Sequence, residues 1–118
     1  MAINNIAKKT AITITRHAQQ RIMERAPHIP QKQYLDFSYN ARYKGIPDNH
    51  FCGEFKNWLA CAYRQNNSTQ IRVYKNYVFV FSGNNHKSRT LVTVIPVKEQ
   101  YKDNYQNFIQ ERFQVCAV

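Results

Sequence analysis

Two short runs that read as strands, Thr69–Tyr74 and Tyr77–Phe81, are separated only by Lys75-Asn76. Side chains on an extended strand alternate between its two faces. A two-residue connection joins antiparallel neighbours, and Asn tolerates the left-handed backbone that such a turn demands. The chain must therefore contain a β-hairpin, and the rest has to pack around it. Arg89–Val97 reads as a further β-branched strand ending near Pro96, and Trp58–Tyr63 as a strand ahead of the hairpin.

Other segments carry helical signals. Ala11–Ile14 is short and extended, and Thr15 is a good N-cap for a helix over Arg16–Ala26 that Pro27 and Pro30 end. A second helix is expected over about Gln31–Arg42, with Tyr34, Phe37 or Ser38, and Ala41 inward. Tyr105, Phe108, Ile109 and Phe113 recur at helical spacing, which predicts a C-terminal helix over about 104–114. Between these lies a loop with Gly45, Pro47, Asp48 and Gly53. The expected fold is α+β: N-terminal helices on a four-stranded antiparallel sheet, with an added C-terminal helix. At 118 residues it is a single domain, 1–118.

Composition narrows the function. A hydrophobic content of 43% argues against disorder. No apolar run approaches the roughly 20 residues of a membrane span. Residues 1–14 place Lys8 and Lys9 before only a short apolar stretch, unlike a signal peptide, so a cytoplasmic protein with no membrane partner is expected. Cys52, Cys61 and Cys116 form no CxxC pair, and His50-x-Cys52 is too tight for a structural zinc site. They read as reduced thiols. No metal and no cofactor are expected.

Lys and Arg number 17 against 7 Asp and Glu, a formal charge of +10. From Leu59 to Lys98 there is no acid, while Arg64, Arg72, Lys75, Lys87, Arg89 and Lys98 are basic. Tyr63, Tyr74 and Tyr77 interleave with them, and aromatic rings near cations suit unstacked bases. This predicts an electropositive sheet facing nucleic acid. The residues expected to touch RNA are Arg16, Arg64, Arg72, Tyr74, Lys75, His86 and Lys87.

On the first helix His17, Arg21 and Arg25 are spaced i, i+4, i+8 and share a side, beside the apolar stripe Ala18, Ile22, Ala26. Histidine exchanges a proton near neutrality, and arginine presents a fork that matches phosphate oxygens. Those parts suffice for metal-free RNA cleavage, in which a base removes the ribose 2′-OH proton and cations stabilise the phosphorane. In the last strand, alternation puts Leu91, Thr93 and Ile95 on one face and Thr90, Val92 and Val94 on the other, with Arg89 and Lys87 as nearby charges. His50 and His86 are loop histidines that could supply a second proton-transfer group.

Ile14-Thr15-Arg16-His17-Ala18-Gln19-Gln20-Arg21-Ile22-Met23-Glu24-Arg25 resembles the HAxxRxxER first-helix motif of small RelE-like domains. Ile71–Phe81 and Leu91–Pro96 resemble the hairpin and final strand of that group, which is similar to the barnase–EndoU–colicin–RelE assembly of metal-independent ribonuclease toxins. The resemblance covers about residues 12–97, with an insertion around 43–56. It implies a toxin-like endoribonuclease, often encoded by phage or mobile elements, that leaves a 2′,3′-cyclic phosphate on tRNA, mRNA or ribosome-associated RNA. It also implies a cognate antitoxin or immunity protein. In that comparison His17 is the proton-transfer group, Arg21 and Arg25 are phosphate clamps, and Thr93 stabilises the transition state; Arg89, a charge near it on the same strand, is expected to share that role. The alternatives are a non-catalytic RNA- or DNA-binding module and a basic protein that recognises an acidic protein.

Overall fold

A computed structural model describes residues 11–64, 68–83 and 88–117. The hairpin forms as expected. β3 (Gln70–Tyr74) and β4 (Tyr77–Ser82) pair antiparallel from Gln70–Phe81 to Tyr74–Tyr77. The turn residues Lys75 and Asn76 both have positive φ, 50° and 71°. These are the signs of a type I′ turn, whose twist matches that of the strands.

The sheet around it has five strands, not four, and is mixed rather than wholly antiparallel. β1 (Ala11–Ile14), β2 (Ile46–Pro47) and β5 (Ser88–Pro96) complete the order β1-β5-β4-β3-β2. β1 lies parallel to β5, with Ile12 opposite Arg89 and Ile14 opposite Leu91. A parallel partner needs a long crossover, and β1 and β5 lie at opposite ends of the fold's sequence. Adjacent-segment reasoning does not see such a pairing.

Trp58–Tyr63 is not a strand. It belongs to α3 (Gly53–Tyr63), which buries Phe55 and Leu59 one turn apart. A short apolar run does not by itself distinguish helix from strand; here Phe55, ahead of it, sets the helical period. The segment expected as an insertion is built into the fold as β2, a short 3₁₀ turn (Asp48–His50) and the start of α3.

The remaining helices are α1 (Arg16–Arg25), α2 (Tyr34–Lys44) and α4 (Lys102–Ala117). Thr15 caps α1 by accepting from the Ala18 N–H at 3.0 Å. One core joins Ala18, Ile22, Ala26, Tyr34 and Ala41 to Ile12, Phe79, Phe81, Leu91 and Val94. A second, on the opposite face, joins Phe55, Leu59 and Tyr105 to Ile71, Val73, Val78 and Val80. Phe108 and Ile109 of α4 pack against this second core; the side chain of Phe113 lies outside the described residues.

Helices therefore cover both faces of the sheet, and Val78–Phe81 is buried throughout. That corrects the expected sheet with one face turned to nucleic acid: such a face would need polar side chains on alternate residues, which β4 does not supply. Among the described residues no helix is long and apolar enough to cross a membrane. Cys52 and Cys61 are free and exposed; Cys116 lies outside the described side chains.

Candidate phosphate-binding site

Strand alternation turns Ile71 and Val73 to the second core, so Gln70, Arg72 and Tyr74 face α1 and α2. On β5, Leu91 faces the same side, and so by alternation does Arg89. Arg42 follows the buried Ala41 on α2. Gly45 at the end of α2 abuts Arg72 so tightly that a Cβ there would collide with the Ala41 carbonyl and press on the Arg72 Cβ. Glycine permits that close approach. These placements gather Arg42, Arg72 and Arg89 into one electrostatic centre.

Arg89 is only 7% exposed. One of its nitrogens donates to the Gly83 carbonyl at 2.7 Å, while its Nε is buried without a hydrogen-bond partner. The Arg42 Nε and the Gln70 Oε1 are buried and unpartnered too. Arg72 donates a long 3.3 Å bond to the Ile71 carbonyl. Burial pulls the Arg72 guanidinium down to about 10, the charge of Arg42 pushes the same way, and Asp48 opposes them. Arg42 is lowered by burial and then by the charge of Arg89. Desolvation and like-charge repulsion thus both act against this cluster.

No carboxylate among the described residues forms an ion pair with it, and Asp48 relieves it only from a distance. The chain has 7 Asp and Glu, all of them described. Glu24 pairs with Arg21, Glu99 with Lys102 and Asp48 with Arg64. Asp36, Glu54, Asp103 and Glu111 are exposed, and none forms an ion pair with the three arginines. The α2 C-terminus, near Arg42 and Gly45, contributes about half a negative charge, which offsets one arginine at most. Guanidiniums with open donors and no ion-paired carboxylate have the chemistry that suits an oxyanion.

The other expected site residues fall elsewhere. His17 and Arg16 are exposed on α1. Arg21 is held by Glu24 at 2.8 Å. Arg25 donates to the Val94 carbonyl at 2.7 Å, beyond the end of β1, and its own carbonyl accepts from the Tyr77 hydroxyl at 3.1 Å. It thereby fastens α1 to the strip of β5 that β1 leaves uncovered.

Thr93 does not join Arg89. The β4–β5 register shifts between Val80 and Phe81, which pair with Thr93 and Leu91 respectively. The bulge at Val92 breaks the alternation, so Leu91 and Val94 share the first core while Thr93 faces the second. The expected grouping of Leu91 with Thr93 and Ile95 is corrected accordingly.

Arg64 is engaged as well. It donates from one nitrogen to both Asp48 oxygens at 2.8 Å and from another to the Thr69 carbonyl at 2.7 Å. Tyr74 packs on Phe37 with ring centres 6.0 Å apart, and the Lys75 ammonium sits 5.5 Å from the Tyr74 ring. The Lys75 N–H donates to the Tyr105 hydroxyl at 3.0 Å. His86 and Lys87 lie outside the described residues.

Of the expected set, Arg72 and Arg89 meet. Arg42 and Gln70 were missed, although Arg42 stands four residues after buried Ser38, a spacing that places it at the margin of the inward stripe. Among the described residues no group of His, Cys, Asp and Glu could hold a metal ion. Comparison with family models, with curated proteins and with solved structures finds no match for this chain.

Proposed function

We propose that this protein binds RNA through its phosphates, with Arg42, Arg72 and Arg89 as the charged centre. The observation that carries the reading is a partly buried arginine cluster with unpartnered donors and no carboxylate partner. The formal charge of +10 supplies the long-range attraction that brings a polyanion to it. A shift assay on labelled single-stranded RNA tests it. Affinity should fall steeply with salt as released counterions lose their advantage, and Arg42→Gln or Arg72→Gln should weaken it. Binding that ignores both substitutions would sink the assignment.

Cleavage is the second reading. α1 forms where the RelE-like motif falls, and its cap residue Thr15 bonds the Leu91 carbonyl at 3.3 Å, two residues along β5 from Arg89. Exposed His17 follows on the next half-turn. As a base it would take the 2′-OH proton while the 2′-oxygen bonds to phosphorus; the 5′-oxygen leaves and gains a proton from an acid. Purified protein on total RNA and tRNA with EDTA, beside a His17→Ala control, tests this reading. A 2′,3′-cyclic phosphate product absent from the control supports it; intact RNA in both lanes removes it and leaves binding.

A further inference from the structure

We infer that the arginine centre selects a terminal phosphate, the monoester at the end of an RNA strand, over the diesters within it. This rests on the RNA-binding reading above and adds which phosphate the centre takes. Three features of the centre lead there.

Charge comes first. Arg42, Arg72 and Arg89 together carry three positive charges without an ion-paired carboxylate, and Asp48, the acid that acts on Arg72, has both oxygens committed to Arg64. An internal diester brings roughly one negative charge. A monoester brings about −1.5 to −2 at neutral pH, which compensates the cluster far more fully.

Access comes second. Arg89 is 7% exposed, beside β1 and the end of β4. A diester carries a sugar on both sides, so delivering its oxygens to so enclosed a guanidinium means forcing two chain directions into the site. A monoester has one substituent and can enter end-on. The third feature is donor number. The orphaned Nε groups of Arg42 and Arg89, together with the Arg72 guanidinium, offer more donors than the two free oxygens of a diester can use. A monoester presents three.

The experiment titrates full-length protein into one short RNA sequence made in three forms: 5′-phosphate, 3′-phosphate, and hydroxyl at both ends, with inorganic phosphate as competitor. At least one phosphorylated strand should bind on the order of tenfold tighter than the hydroxyl strand, the scale of one charge-assisted hydrogen bond. Arg42→Gln and Arg72→Gln should erase that preference while leaving weak, salt-sensitive binding of all three strands. If a glutamine variant fails to fold, Arg42→Lys and Arg89→Lys keep the charge, lose the planar fork, and should reduce the preference.

Equal binding of the three strands would overturn the inference and leave the RNA reading standing. Protection of the fold by inorganic phosphate with no strand bound would support the monoester chemistry but place it on a small phosphorylated ligand, overturning the RNA reading. No response to any of the four probes would overturn both.

Discussion

Arg64 and Arg72 both feel the carboxylate of Asp48, yet they stand in opposite energetic positions. Arg64 donates to both of its oxygens at 2.8 Å and also satisfies the Thr69 carbonyl. Arg72 senses Asp48 only as a weaker influence than burial and the charge of Arg42. The Arg64 region is closed: charge, donors and acceptors account for one another, and it ties the end of α3 to the 3₁₀ turn and the start of β3. The Arg72 region is open. A buried cation without an ion-pair partner costs folding energy, and Arg72 bears a cost that Arg64 does not. Residue type alone does not distinguish the two arginines. Only the census of partners does.

The strongest way to break this comparison is Arg64→Met. It leaves the nearly buried Asp48 carboxylate without its partner, and a loss of about 2–3 kcal/mol is expected, discounted from the value for fully buried pairs because Arg64 is partly exposed. Urea unfolding measures it. Asp48→Asn in the same chain should recover part of the loss, as a double-mutant cycle would show. A neutral Arg64→Met would mean that the ion pair does no structural work and that the contrast with Arg72 is empty.

Arg72→Met should have the opposite sign. Removing one cation from an uncompensated cluster, with an apolar side chain of similar reach beside Gly45, should raise stability by about 1 kcal/mol. RNA binding should weaken in the same protein. A purely structural arginine does not give a more stable fold with a poorer affinity, so the pairing of the two measurements sharpens the assignment. Lower stability together with unchanged binding would move Arg72 into the same class as Arg64.

The distinction between closed and open regions also separates what was legible in the sequence from what was not. Local chemistry was legible: the Lys75-Asn76 turn, the Thr15 cap, and the stripe Ala18, Ile22, Ala26 each depend on residues a few positions apart. The parallel pairing of β1 with β5 depends on residues far apart in the chain, and the bulge that turns Thr93 away from Arg89 leaves no mark in the alternation of Leu91–Ile95. The candidate site was legible in part. The acid-free stretch pointed to Arg72 and Arg89, but it pointed equally to Arg64, whose partner Asp48 lies outside that stretch. Arg42 belongs to a helix that reads as packing, and only the approach of α2 to β3 at Gly45 brings it to the others.

Alkaline pH sharpens the comparison with the smallest effect. Arg72, with its guanidinium lowered to about 10 from the ordinary arginine range, holds fewer protons folded than unfolded above that pH. Its penalty is complete well below pH 10 and is relieved as pH rises through and beyond that value, so this group makes stability increase. Tyr105 runs the other way. Burial raises its phenol above 10, against the lowering effect of the Lys75 N–H bond, so its contribution is complete below pH 10 and is lost as pH climbs through the raised value. Between pH 9 and 10.5 the two trends oppose each other in the wild type. Arg72→Met should therefore lose stability more steeply with pH than the wild type, and Tyr105→Phe less steeply. The remaining tyrosines and lysines are common to all three proteins and cancel in the differences. Urea midpoints at half-unit pH steps resolve the order, and three parallel curves would show that neither group changes its protonation on folding.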